Sequence, residues 1–191
     1  MRIGLDAGHG GLKNGVYQTA GKRSLHPVDG EVFYEGVNNR LFAKKYATVL
    51  TNIGHEVVYI VDPTDPTDVP LSTRVTIANA KDLDLLVSIH SNAAGTPSAR
   101  GYEVFTSPNA SATSKKAAEL WIIEMQRSFP TLKNRGHKTA NFTMIARPKC
   151  PAILLELEFH TNDKAVRLLR SWEFNLQTAL VLSRVVKLLE K

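Results

Sequence analysis

Leu85-Leu86-Val87-Ser88-Ile89 is the stretch from which the fold is read. A short, almost continuous apolar run is what a central strand covered on both faces requires, and such strands belong to sheets with helices packed on each side. His90 follows directly, and in open α/β sheets the ends of strands are where sites are built.

The neighbours agree with that reading. Arg2-Ile3-Gly4-Leu5-Asp6 forms a first short strand that runs into the turn Gly8-His9-Gly10-Gly11. Leu12 to Tyr34 has no clean periodicity and reads as a long loop, a kind of segment that is usually functional or mobile. Val37, Leu41, Phe42, Tyr46, Val49, Leu50 and Ile53 recur at helical spacing, with Gly54 as the stop. Glu56 to Val61 is a second strand, and Pro70 opens a short helix carrying Leu71, Val75 and Ala78. Beyond the central run, Gly101 to Thr106 is a strand and Ser114 to Phe129 a helix that buries Ala118, Trp121, Ile122 and Met125. Phe142 to Ala146 and Ala152 to Leu157 are two further strands, and Ser171 caps an amphipathic helix to about Leu189. Strands alternate with helices without a repeat or a linker, so the chain reads as one α/β domain over residues 1–191.

Composition narrows the function classes. A chain of 191 residues can bury a proper core, and no run approaches the ~18 apolar residues of a membrane span. The start, Met1 to Asp6, has no signal-peptide pattern, which predicts synthesis in the cytoplasm or trimming from a precursor. The single cysteine, Cys150, excludes an internal disulfide and an all-cysteine zinc site, and it reads as a small residue at a strand entrance. The net charge of +6 favours an anionic partner. Nucleic acid, a membrane surface and a wall polymer all qualify by charge, but the sequence has no nucleic-acid recognition motif.

The polar clusters at strand ends carry the chemistry. They are Asp6-Ala7-Gly8-His9-Gly10-Gly11, Ser88-Ile89-His90-Ser91-Asn92-Ala93 and Leu155-Glu156-Leu157-Glu158-Phe159-His160, with Glu35 at a helix start as a fourth element. Gly8 to Gly11 lacks the Lys-Ser/Thr signature of a nucleotide-binding P-loop. Taken singly, a histidine after a strand is commonly structural, and a glutamate at a helix start is commonly a dipole-favoured surface group. Glu156 is different, because Leu154, Leu155 and Leu157 flank it, and a buried carboxylate is costly unless paired, metal-linked or catalytic. Two histidines and one carboxylate leave a fourth zinc position open for water, the pattern of catalytic sites. A further carboxylate that does not bind the metal suits proton transfer.

These four elements, in this order, resemble the zinc N-acetylmuramoyl-L-alanine amidases, the family of bacterial autolysins, cell-division amidases and phage endolysins. Leu71-Ser72-Thr73-Arg74 with Ala78-Asn79, and Gly101-Tyr102-Glu103-Val104, resemble the connecting segments of that family. The resemblance implies a six-stranded mixed, mostly parallel sheet flanked by helices. It implies that His9, Glu35 and His90 hold one zinc ion and that Glu156 is the catalytic carboxylate. It implies hydrolysis, by zinc-activated water, of the amide between muramic acid and L-alanine in peptidoglycan. The expected protein is a monomer that acts at the cell wall after release, as a phage endolysin or an autolysin does, with no nucleic-acid partner and no membrane insertion. Another zinc peptidase or deacylase of wall peptides, or an inert wall-binding module, are the alternatives.

The chain also departs from the family. Glu158 stands where a glycine is usual, and strand alternation places it on the face of Glu156, as a second acid near the metal, a competitor for the catalytic role or a partly solvated charge. Phe159-His160-Thr161-Asn162 replaces Phe-Ile-Ser-Asn, and Arg147 to Pro151 is short. Glu31 rivals Glu35 as third ligand, with Glu35 preferred because the helix after it matches. Asp6, at the end of the first strand, is a candidate either to orient His9 or only to cap the turn. His160 is a candidate for a supporting role, His26 and His137 for the groove, and His55 for a surface turn.

Overall fold

The computed structural model describes residues 1–190. Its centre is a six-stranded sheet in the order β4-β1-β5-β8-β6-β7. The members are β1 (Arg2–Ala7), β4 (Glu56–Tyr59), β5 (Leu85–Asn92), β6 (Tyr102–Thr106), β7 (Asn134–Thr139) and β8 (Ala152–Phe159). All neighbours run parallel except β6 and β8, which are antiparallel. The mixed, mostly parallel sheet is the one expected.

The central strand is β5, whose Leu85, Leu86, Val87 and Ile89 are fully buried. It can be apolar on both faces because helices cover both. α1 (Glu35–Asn52), α3 (Ala112–Ser128) and α6 (Trp172–Leu189) bury Phe42, Tyr46, Leu50, Trp121 and Val181 in one large core. On the other face α2 (Leu71–Asn79) and α4 (Thr143–Ala146) close a smaller core of Ile60, Leu83, Leu86, Met144, Ile145 and Leu154. α5 (Asp163–Arg170) completes the helices, and a two-residue hairpin of β2 (Leu12–Lys13) and β3 (Val16–Tyr17) lies in the long loop. Ser171 accepts a hydrogen bond from the Phe174 amide and caps α6 as expected.

The strand count holds, but one member differs. Phe142–Ala146 was expected as a strand; residues 143–146 are a single helical turn that presses Met144 and Ile145 onto the smaller core. The sixth strand is β7, whose sequence Asn134-Arg135-Gly136-His137-Lys138-Thr139 has no apolar alternation because it is a half-exposed edge. Pairing with β6, rather than its own side chains, makes it a strand. Among the described residues no helix is long and apolar enough to cross a membrane.

Candidate metal centre and active site

β1 ends at Ala7, and the chain turns sharply so that His9 looks back at the end of β5. Gly8 makes this approach possible, since a Cβ there would stand 2.1 Å from the His90 ring. His9 has φ of 66°, a left-handed conformation that a side-chain-bearing residue adopts only when held. Two buried arginines hold it: Arg40 Nη1 donates to the His9 carbonyl at 2.7 Å and Arg74 Nη2 at 3.3 Å. The N-terminus of α1 packs as closely on this loop, because a Cβ on Gly36 would lie 2.0 Å from the Gly10 carbonyl.

That packing delivers Glu35, the first residue of α1, to the two imidazoles. Its side chain is 2% exposed. Oε2 lies 3.3 Å from His9 Nε2, and Oε1 lies 3.0 Å from His90 Nδ1. The Ser91 amide donates to Oε1 at 3.2 Å. The imidazoles stand edge to face with centroids 5.0 Å apart. One ligand atom from each of the three residues falls within 4.8 Å of the others, a convergence of two nitrogens and one oxygen that can hold a metal ion. Burial pushes the Glu35 carboxyl up, but hydrogen bonds and charge from His9 and His90 outweigh it and hold it well below the usual range. Burial likewise lowers His90, and Glu35 more than restores it. A carboxylate between two imidazoles is therefore ionised. Glu31, the rival ligand, is 81% exposed near Arg170 and takes no part.

Glu156 comes from β8, directly beside His90 in the sheet register. Its Oε2 is buried without a hydrogen-bond partner. Burial pushes its carboxyl up to about 8, with Glu35 and Glu103 adding to the rise and His90 opposing it. A buried carboxylate oxygen without a partner costs folding free energy, and carboxyl groups shifted in this way are concentrated at functional sites.

Glu158 is not a second acid in that row. His90 pairs with Glu156 but Asn92 pairs with Phe159, so β8 carries one extra residue against β5. This bulge breaks the two-residue alternation on which the shared-face expectation rested. Glu158 is fully buried, where a partly solvated charge was expected. It accepts from Arg100 Nε at 2.8 Å, the Gly101 amide at 2.8 Å and the Phe159 amide at 3.2 Å, and ties down the entry to β6.

The other expected residues sort cleanly. Asp6 does not touch the His9 ring; it accepts from Arg74 Nη1 at 2.8 Å and Ser88 Oγ at 2.7 Å, and so acts on His9 through Arg74 and the backbone. His160 is buried beneath the centre, its Nδ1 2.9 Å from the Ser91 carbonyl and 3.8 Å from Glu35 Oε2, and it stacks on Phe33. His55 is buried, not a surface residue, with burial lowering its pKa. His26 lies at the surface beside Asp163, and His137 meets Thr106 Oγ1. Glu103 escaped the sequence reading, although a carboxylate between Tyr102 and Val104 in a buried strand carries the same signal as Glu156. A cavity of about 320 Å³ opens beside His9 and His90, lined also by Asp68, Val69 and Arg74. A larger cavity, about 550 Å³ between the loop and α1, touches none of the three converging residues.

The sequence profile of the N-acetylmuramoyl-L-alanine amidases matches residues 3–185. The amidase AmiA of Salmonella typhimurium is 27% identical over 94% of this chain and 72% of its own length. The endolysin of Bacillus phage SPP1 is 28% identical over 90% of this chain and 59% of its own length. The solved structure of the amidase AmiC2 of Nostoc punctiforme, 27% identical, superposes with a TM-score of 0.84 and covers 100% of this chain and 98% of that one. The chain belongs to the N-acetylmuramoyl-L-alanine amidase family, the peptidoglycan hydrolases that release the stem peptide from its glycan.

Proposed function

We propose that residues 1–191 are the catalytic domain of a zinc-dependent amidase in which His9, Glu35 and His90 hold the metal and Glu156 moves the proton. The observation that carries this reading is the convergence of three ligand atoms, from the turn after β1, from α1 and from β5, within 4.8 Å, beside a buried carboxylate oxygen with no partner. The donor set fits the ion, since imidazole nitrogens with one carboxylate and an open side suit zinc in catalytic sites. Bound there, zinc supplies Lewis acidity towards the scissile carbonyl and lowers the pKa of water to about 7.

The protein's own groups do the rest. Glu35 anchors both imidazoles, and Arg40 and Arg74 keep the His9 backbone in its strained turn. Glu156 takes a proton from the attacking water as the new C–O bond forms at the lactyl carbonyl of muramic acid. It then delivers that proton to the nitrogen of L-alanine as the C–N bond breaks, leaving a muramoyl carboxylic acid and a free stem-peptide amine. The SPP1 endolysin relative supports a lytic role at the wall, and we read the protein as a monomer that finds the wall through its +6 charge. The test is digestion of purified peptidoglycan by the zinc-loaded protein, with the new ends identified by mass spectrometry. Free L-alanyl amines with intact sugars support the amidase; new ends within the stem peptide would make it a peptidase instead.

A further inference from the structure

The row of polar residues that starts at the metal centre does not end at Glu156. In the sheet register His90 of β5 sits beside Glu156 of β8, and Glu156 sits opposite Glu103 of β6. Glu103 is almost fully buried and is held from three sides. Asn92 Nδ2 donates to its Oε1 at 2.6 Å, Arg135 Nε donates to its Oε2 at 2.8 Å, and Lys138 Nζ shares that Oε2. Arg135 and Lys138 both come from β7, and their side chains are 27% and 39% exposed. Their positions are further set by aromatic rings, with the Arg135 guanidinium 4.7 Å from the centre of Phe159 and the Lys138 ammonium 5.9 Å from that of Phe105. One carboxylate against two cations leaves one positive charge in surplus, half-open to solvent and pre-positioned.

We propose that Arg135 and Lys138 form a carboxylate-recognition site that selects stem peptides whose second residue carries a free acid. The inference rests on the amidase reading above, because it takes the L-alanine amine as the group served by Glu156. Neighbouring strands are ~4.8 Å apart, so the cations, drawn back onto Glu103, lie about 5–10 Å from Glu156. An extended peptide advances ~3.4 Å per residue, which puts a group on the second residue about 7 Å from the cleaved amide. Reach and charge therefore match an acidic second residue. Glu103 acts as the brace: it keeps both cations from swinging into solvent and is itself too buried to meet the substrate.

The test uses two soluble muropeptides identical except for a free carboxylate or a carboxamide on the second residue. The zinc-loaded wild type should favour the acid by about tenfold in kcat/KM, carried mainly by KM, the size of effect that one charge-assisted contact gives. Lys138→Met should bring the ratio of the two kcat/KM values close to one, and Lys138→Arg should restore most of it. Arg135→Met should lower the ratio in the same direction. Damage that merely reaches Glu156 through Glu103 would slow both substrates alike and leave the ratio where it was, and that outcome overturns the proposal. Equal use of both substrates by the wild type also overturns it while leaving the amidase reading intact. Failure of the wild type to cut either substrate would instead bring down that reading.

Discussion

Glu156 and Glu158 stand two residues apart on the same strand, and their surroundings could hardly differ more. Glu158 is saturated, with donors from Arg100, Gly101 and Phe159 on its two oxygens. Glu156 keeps one buried oxygen without any partner, beside a metal-ligand candidate and across from another carboxylate. The single extra residue of the β8 bulge separates the two fates. Burial of a carboxylate is thus not a sign of function by itself. What distinguishes a working group is the bond it has been denied, because a saturated carboxylate is already spent on structure.

The contrast can be tested at several strengths. The largest expected effect belongs to the proposed metal centre beside Glu156. One zinc per chain is expected, and chelation or His9→Ala should remove both the metal and all measurable turnover. Glu35→Ala should weaken zinc binding, whereas Glu31→Ala should leave the metal content at one; loss of zinc in the Glu31 variant alone would mean the wrong helix-start carboxylate has been assigned.

Next comes turnover by the two strand carboxylates. Glu156→Gln preserves shape but cannot shuttle a proton, so it should lose at least ~10²-fold in kcat with zinc retained. Glu158→Gln should lose less than ~10-fold. A dead Glu158 variant beside a nearly active Glu156 variant would reverse the comparison outright.

Stability should show the opposite ranking. Removing the saturated group strands the donors of Arg100 and Gly101, and bonds to a charged group are each worth ~1.5–3 kcal/mol, so Glu158→Ala should destabilise by about 2–4 kcal/mol in chemical denaturation. Glu156→Gln should be neutral or slightly stabilising, since it removes an unpaired buried acid. Equal losses in both variants would show that Glu156 has structural bonds after all.

The smallest and finest test is pH. In the metal-free protein the Glu156 carboxyl titrates at about 8, above its ordinary value of 4.5. Between those values the folded chain holds a proton that the unfolded chain has released, so stability falls as pH rises through that window. It is fully present below about pH 4.5 and lost by the time the folded group ionises near 8. Metal-free Glu156→Gln should flatten this decline; an unchanged slope would mean that Glu156 ionises normally.

The same carboxylates show where a sequence can be read. Glu156 was legible because three leucines flank it, so a carboxylate there demanded a reason; the structure leaves the residue half-buried but encloses its Oε2 without a partner. His9, Glu35 and His90 were legible as a set through the family resemblance and their places at strand and helix ends. Arg135 and Lys138 were not, because β7 has no apolar period and becomes a strand only through its pairing with β6. Glu103 had the right signal, yet its importance depends on which strand lies opposite, and that is a matter of sheet order.

Local pattern by itself therefore determined the α/β class, the central strand and most helix boundaries, since burial periodicity and caps are properties of neighbours along the chain. The resemblance in addition pointed to the four residues of the centre. Only the tertiary structure decided that Phe142–Ala146 is a helical turn, that Glu31 faces solvent and that Asp6 works through Arg74. It also decided, through one inserted residue in β8, that Glu158 is a tie and Glu156 is free. Register between strands is set by contacts distant in sequence, and no periodicity within a single strand encodes where its partner will carry a bulge.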